Sequence, residues 1–190
     1  ITLQNGTSVN NISTSVSDPG DDNTLVTEAA VQNVPRSRMD MGKFLITSSG
    51  TLSVSSLGFE PNRIEFKSTS PVDSFDSDGS APDNVGDERN FSGTVMGYAK
   101  LESDGSTISQ QTIQTGDSGN SINAVSFYSS STECFSIRYA DQNGNEIGKI
   151  RAQLQSFDSN GFTLDVLEFS GLTEISGAAV LFTAFRDVEA

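Results

Sequence analysis

Glu146-Ile147-Gly148-Lys149-Ile150-Arg151-Ala152-Gln153-Leu154-Gln155, followed by Asp158-Ser159-Asn160-Gly161 and then Phe162-Thr163-Leu164-Asp165-Val166, is the stretch that decides the fold. Ile150, Ala152 and Leu154 alternate with Lys149, Arg151 and Gln153; Phe162, Leu164 and Val166 alternate with Thr163 and Asp165. Successive side chains of a strand point to opposite faces, so a period of two puts one set on a core and the other in solvent. The Asp-Ser-Asn-Gly run between them is turn chemistry, so the stretch reads as two strands joined by a turn.

Phe135, Ile137 and Tyr139 repeat the alternation, while residues 178–185 (Ala-Ala-Val-Leu-Phe-Thr-Ala-Phe) are apolar on both faces. That last run is expected to be a central strand or one covered by a neighbouring subunit. Turn signals at Ser49-Gly50, Asp104-Gly105, Asp117-Ser118-Gly119-Asn120 and Asp141-Gln142-Asn143-Gly144-Asn145 punctuate the chain. Ten strands are expected, over 43–47, 51–55, 63–68, 93–102, 106–114, 124–129, 134–140, 146–155, 161–169 and 175–186. Their spacing of about 8–12 residues predicts an all-β fold, an antiparallel β-sandwich or jelly-roll-like domain. Ser, Thr and Asn supply 59 of the 190 residues, which suits strands and many turns.

Charge bounds the partners. The 25 acids against 11 bases give a net charge of −14, and the only lysines are Lys43, Lys67, Lys100 and Lys149. Nucleic acid is not an expected partner, because no positive footprint neutralises phosphates. The acids are scattered and not blocked into a tail, which points to a whole surface kept acidic. Molar salt screens the resulting self-repulsion, so a salt-loving archaeal setting is preferred over an ordinary acidic secreted protein. Cys134 is single and flanked by Phe135, which places it at a buried strand position. No apolar run reaches the roughly 20 residues of a membrane helix, so no membrane insertion is expected.

Before the β domain lies a polar segment. Leu3, Val9 and Ile12 are isolated apolar points, Asp18-Pro19-Gly20-Asp21 is a turn, and Asn23 or Thr24 can cap a helix that Pro35 ends. The division is therefore an arm over 1–41, with a short helix over about 24–34, and a sandwich over 42–190. On that helix Val26, Ala30 and Val34 share one face at i, i+4 and i+8. About ten residues make a marginal helix in water, so the face needs a partner, and these three are the candidate oligomerisation residues.

Chemistry is sparsely signalled. There is no histidine, which removes the usual catalytic triads and most zinc sites. No glycine loop is built to cradle phosphate, and chance carboxylate pairs are inevitable among 25 acids, so no catalytic residue and no cofactor are expected. The long connection between Ser68 and Gly93 carries Asp73, Asp76, Asp78, Asp83, Asp87 and Glu88, hard oxygens suited to Ca²⁺ or Mg²⁺. The spacing does not match the twelve-residue calcium loop, and a solvated acidic loop is the simpler reading. With Phe75 and Phe91 near its ends, this connection also suits contact with a receptor or a neighbouring subunit. Tyr98, Tyr128 and Tyr139 could stack on a sugar, but on alternating strands they are expected to finish the core.

Two stretches resemble a family. Asn5-Gly6-Thr7-Ser8-Val9-Asn10-Asn11-Ile12-Ser13, then Asp21-Asp22-Asn23-Thr24-Leu25-Val26-Thr27-Glu28-Ala29-Ala30-Val31, resembles a segment recurrent in tail-fibre and appendage proteins of tailed viruses. That segment has the form Gly-x-Ser-Val-x-x-Ile-Ser, an acidic turn, then Leu-x-Thr-Glu-Lys-Ala-Val; here Ala29 replaces the usual lysine. Gly58-Phe59-Glu60-Pro61-Asn62-Arg63-Ile64 and Asn160-Gly161-Phe162-Thr163-Leu164, with the closing apolar strand, are similar to small β-sandwich domains of virion fibres and some lectin-like modules. The resemblance implies a non-enzymatic virion appendage, tail fibre or spike, and combined with the acidic balance it implies a tailed virus of halophilic archaea. It implies a homo-oligomer, a trimer above all, that contacts other virion proteins and a host-surface glycoprotein or glycan. A capsid decoration or turret subunit, or a free carbohydrate-binding module, are the alternatives. An acidic receptor would need bridging cations or neutral sugar contacts, because like charges repel.

Overall fold

The structure is a computed structural model and describes residues 11–13, 24–26, 37–79, 88–118 and 123–187, the first two segments by backbone alone. Two short strands come first, β1 (Asn11–Ser13) and β2 (Thr24–Val26), which pair in parallel with Ile12 opposite Leu25. The helix expected over about 24–34 therefore does not begin at Thr24. Thr24 and Val26 are β-branched and flank a leucine, which favours the extended chain. Of the candidate oligomerisation residues, Val26 lies on β2, which breaks the helical stripe at its first member; Ala30 and Val34 lie outside the described residues.

Residues Arg38–Asp187 form one compact unit. It contains β3 (Arg38–Ile46), β4 (Gly50–Val54), β5 (Arg63–Ser70), β6 (Ser92–Leu101), β7 (Ile108–Asp117), β8 (Ser126–Ser130), β9 (Phe135–Ala140), β10 (Glu146–Asp158), β11 (Gly161–Ser170) and β12 (Ala178–Arg186). These are the ten expected strands, with β3 opening earlier, at Arg38. A four-stranded sheet runs β4-β11-β10-β9 and a six-stranded sheet runs β3-β12-β5-β6-β7-β8, every pairing within them antiparallel. The two sheets pack face to face as an all-β sandwich.

The alternation read from the sequence sets the core. Ile150, Ala152 and Leu154 on β10, and Phe162, Leu164 and Val166 on β11, are all buried, as are Phe135, Ile137 and Tyr139 on β9. The six-stranded sheet answers with Phe44, Phe66, Val95, Val180 and Phe182. Phe162 meets Phe182 edge to face at a centroid distance of 5.2 Å and Phe66 at 5.8 Å, the offset geometry that ring quadrupoles favour. Each such fully buried ring contributes roughly 1.5–3 kcal/mol. Gly97 lets β6 lie close to the chain entering β9, because a Cβ there would overlap the Cys134 carbonyl. The doubly apolar run is β12, an interior strand between β3 and β5, as its composition predicts.

One margin of the sandwich is closed by polar side chains. Thr112 and Gln114 on β7 point inward and are buried. Thr112 shares a hydrogen bond with Ser136 at 3.3 Å, and Gln114 reaches the backbone of Arg138. The unpaired edge of β9 thereby meets side chains of the other sheet, one of the ways natural sheets protect an edge.

Candidate functional site

The acidic connection after β5 is structural where it is described. Glu88 is buried, and its carboxylate accepts the backbone N–H groups of Thr173 (2.7 Å), Glu174 (2.8 Å) and Ile175 (2.9 Å), with the Thr173 hydroxyl at 3.1 Å. Burial alone would raise its pKa; the four hydrogen bonds outweigh it and hold the carboxyl below its ordinary value. Asp73 accepts from the Ser176 backbone and hydroxyl and from Arg89. Asp73 and Glu88 thus pin this connection to the segment leading into β12. Among the described residues no three metal-ligating side chains gather, Asp76 and Asp78 are exposed, and Asp83 and Asp87 lie outside the described residues.

The tyrosines separate. Tyr139 is fully buried against Phe91, and burial pushes its hydroxyl pKa up. Tyr128 donates to Glu133, and Tyr98 stands on the outer face of β6 with 38% of its surface exposed. Cys134 is fully buried and its thiol is pushed up by desolvation, which makes it an inert core residue.

The two outer faces of the sandwich differ in kind. On the four-stranded sheet, charges pair with one another: Arg151 with Glu133 (2.8 Å) and Glu168 (3.1 Å), and Arg138 and Lys149 each with Glu146 (2.9 Å). Glu133 is buried and its neighbours are partly exposed, so the charges of this face are satisfied by one another. On the six-stranded sheet the register lines up Lys43, Leu181, Lys67, Met96, Ile113 and Ser129 as one row crossing all six strands. The neighbouring rows hold Met41 beside Thr183 and Met39 beside Phe185. Met39 (63%), Met41 (71%), Leu181 (57%), Ile113 (50%) and Phe127 (77%) remain largely exposed, an accumulation a solvated face does not carry.

A groove of about 660 Å³ opens on this face. Its floor is Ala179, Leu181, Lys67, Thr69, Thr94 and Met96, and its wall is Val72, Ser74, Phe75 and Ser77 from the connection after β5. Lys43 brings its ammonium to 4.6 Å from the Phe75 ring centroid, holding the wall over the sheet. A second, smaller hollow of about 340 Å³ lies alongside, over Glu65, Tyr98 and Ile113.

The expected site residues and this face are different features. Leu181 was legible, since β12 reads as covered on both sides; Met39 and Met41 look like a short polar link in sequence and are part of β3. Lys67 and Met96 carry no local signal, because only the register across three strands brings them together. No protein-family model, curated protein or solved structure matches the chain.

Proposed function

We propose that the chain is a non-enzymatic virion structural protein, a tail-fibre or spike subunit of a tailed virus of halophilic archaea, which assembles with copies of itself and attaches to the host surface. The observation that carries the reading is the contrast between the two outer faces. One is a lattice of paired charges; the other carries the Arg63–Glu65 pair on β5 and leaves Met39, Met41, Leu181, Ile113 and Phe127 in solvent. An acidic chain that keeps such a face is built for contact with another macromolecule.

The arm supports the same reading. The two halves of the appendage-like motif, Asn11–Ser13 and Thr24–Val26, pair with each other in parallel. A two-stranded pair three residues long is marginal in water and gains its stability from a further surface. In an oligomer, many identical sandwiches convert weak contacts into avidity. Lys67 also stands on this face without a carboxylate partner among the described residues, so an acidic group can be met there directly, without a bridging cation.

Co-sedimentation with envelope vesicles from halophilic archaeal cells, in molar salt, tests attachment. Saturable binding is expected for the intact chain. Absence of binding across a panel of such envelopes would remove the attachment function and leave a capsid decoration subunit, which uses the same face against the virion shell.

A further inference from the structure

Lys67 lies in the groove floor, and Lys43 lies on the far side of Leu181, about 10 Å away at two strand spacings. Neither forms a salt bridge with any described carboxylate. The remaining described lysines, Lys100 and Lys149, and all described arginines except Arg38 do. In a chain with 25 acids, an ammonium group on an apolar groove floor with no carboxylate partner among the described residues is a specific arrangement; Lys43 is held by the Phe75 ring, which leaves Lys67 as the group open to a ligand.

We propose that this groove is a binding site for a small amphiphilic carboxylate, an alkyl body lying on Leu181, Met96 and Phe75 with its carboxylate on Lys67. The volume falls within the range of about 300–1,000 Å³ usual for small-molecule sites, and the lining combines apolar surface with a few polar groups that fix orientation. An added peptide strand does not fit the floor. β12, β5 and β6 each have a neighbour on both sides, so their backbone hydrogen-bonding groups are already used. An anion is repelled by the net charge of −14 only at long range, and molar salt screens that repulsion; the contact ion pair with Lys67 is shorter than the Debye length of about 3 Å at 1 M or comparable to it. The ligand site does not rest on the appendage reading, and either can fail without the other.

The test is calorimetric titration of the full chain with sodium decanoate, decanol and decyltrimethylammonium below their aggregation concentrations, with chemical-shift mapping of the decanoate complex. Decanoate is expected to bind at least tenfold more tightly than decanol, with decyltrimethylammonium weakest, and shifts are expected at Thr94, Met96 and Leu181. Lys67→Met should weaken decanoate at least tenfold and leave decanol unchanged; Lys67 is exposed, so the fold is unaffected, and Lys149→Met serves as the control that changes neither. No decanoate binding, equal affinity for decanoate and decanol, shifts elsewhere, or full affinity in Lys67→Met would each overturn the assignment.

Discussion

Gln114 satisfies both backbone groups of Arg138: its side-chain oxygen accepts the Arg138 N–H at 3.2 Å while its amide nitrogen donates to the Arg138 carbonyl at 3.4 Å. A buried glutamine on one sheet therefore stands in for the missing neighbour of β9 on the other. Gln114→Ala strands a part-buried N–H and C=O, so the loss is expected toward the lower end of the roughly 1–3 kcal/mol usual for an unsatisfied buried group. Thermal unfolding should report a Tm several degrees lower. A Tm within a degree of the parent would mean that water replaces the amide without loss.

Glu88 makes stability depend on pH. Its folded pKa lies below the ordinary 4.5, so its contribution is full above that value and disappears as pH falls through the lower folded value. Asp104 behaves likewise: hydrogen bonds from the Thr107 hydroxyl and from the Thr107 and Ser106 backbone hold it at about 2, against an ordinary 3.8. Stability should thus decline between about pH 4.5 and pH 2. Glu88→Gln replaces an acceptor-only carboxylate by an amide whose NH₂ faces backbone donors, and should destabilise by about 2 kcal/mol near neutral pH. The variant's melting curve should also be flatter across the acid limb; an unchanged acid slope would show that Glu88 does not titrate with folding.

Gly97→Ala tests the close approach of β6 to the chain before β9. The added methyl would overlap the backbone carbonyl of Cys134 and come within 2.9 Å of the Gln111 carbonyl oxygen. Backbone cannot rotate away as a side chain can, so a loss at the upper end of the roughly 1–3 kcal/mol usual for overpacking is expected in chemical denaturation. A neutral substitution would contradict the packing of the two sheets at that point.

The sandwich was legible because its signals are local. The period-two runs on β9, β10 and β11, and the Asp-Ser-Asn-Gly turn at 158–161, name both the strands and their buried faces without knowledge of partners. The expected helix start at Thr24 failed for the same reason in reverse, while residues 27–34 lie outside the described residues. Its evidence at Val26 was a spacing of three apolar residues, whereas Thr24–Val26 takes a partner strand thirteen residues upstream, which spacing cannot reveal. The groove was hidden because Lys67, Met96 and Leu181 are remote in sequence and adjacent only through the order of β12, β5 and β6. The acidic connection gave the opposite lesson. Asp73 and Glu88 look like free oxygens in sequence, and in the fold they receive hydrogen bonds from residues 173–176.

The most direct measurement of the central claim is the molar mass of the intact chain by light scattering in molar salt, alongside the double variant Met41→Asp, Ile113→Asp. Both residues are exposed on the outer face of the six-stranded sheet and neither lines the Lys67 groove. A discrete oligomer is expected for the intact chain and a smaller species for the variant, with the sandwich's melting transition retained. A monomeric intact chain, or an oligomer whose mass the two aspartates leave unchanged, would contradict that claim.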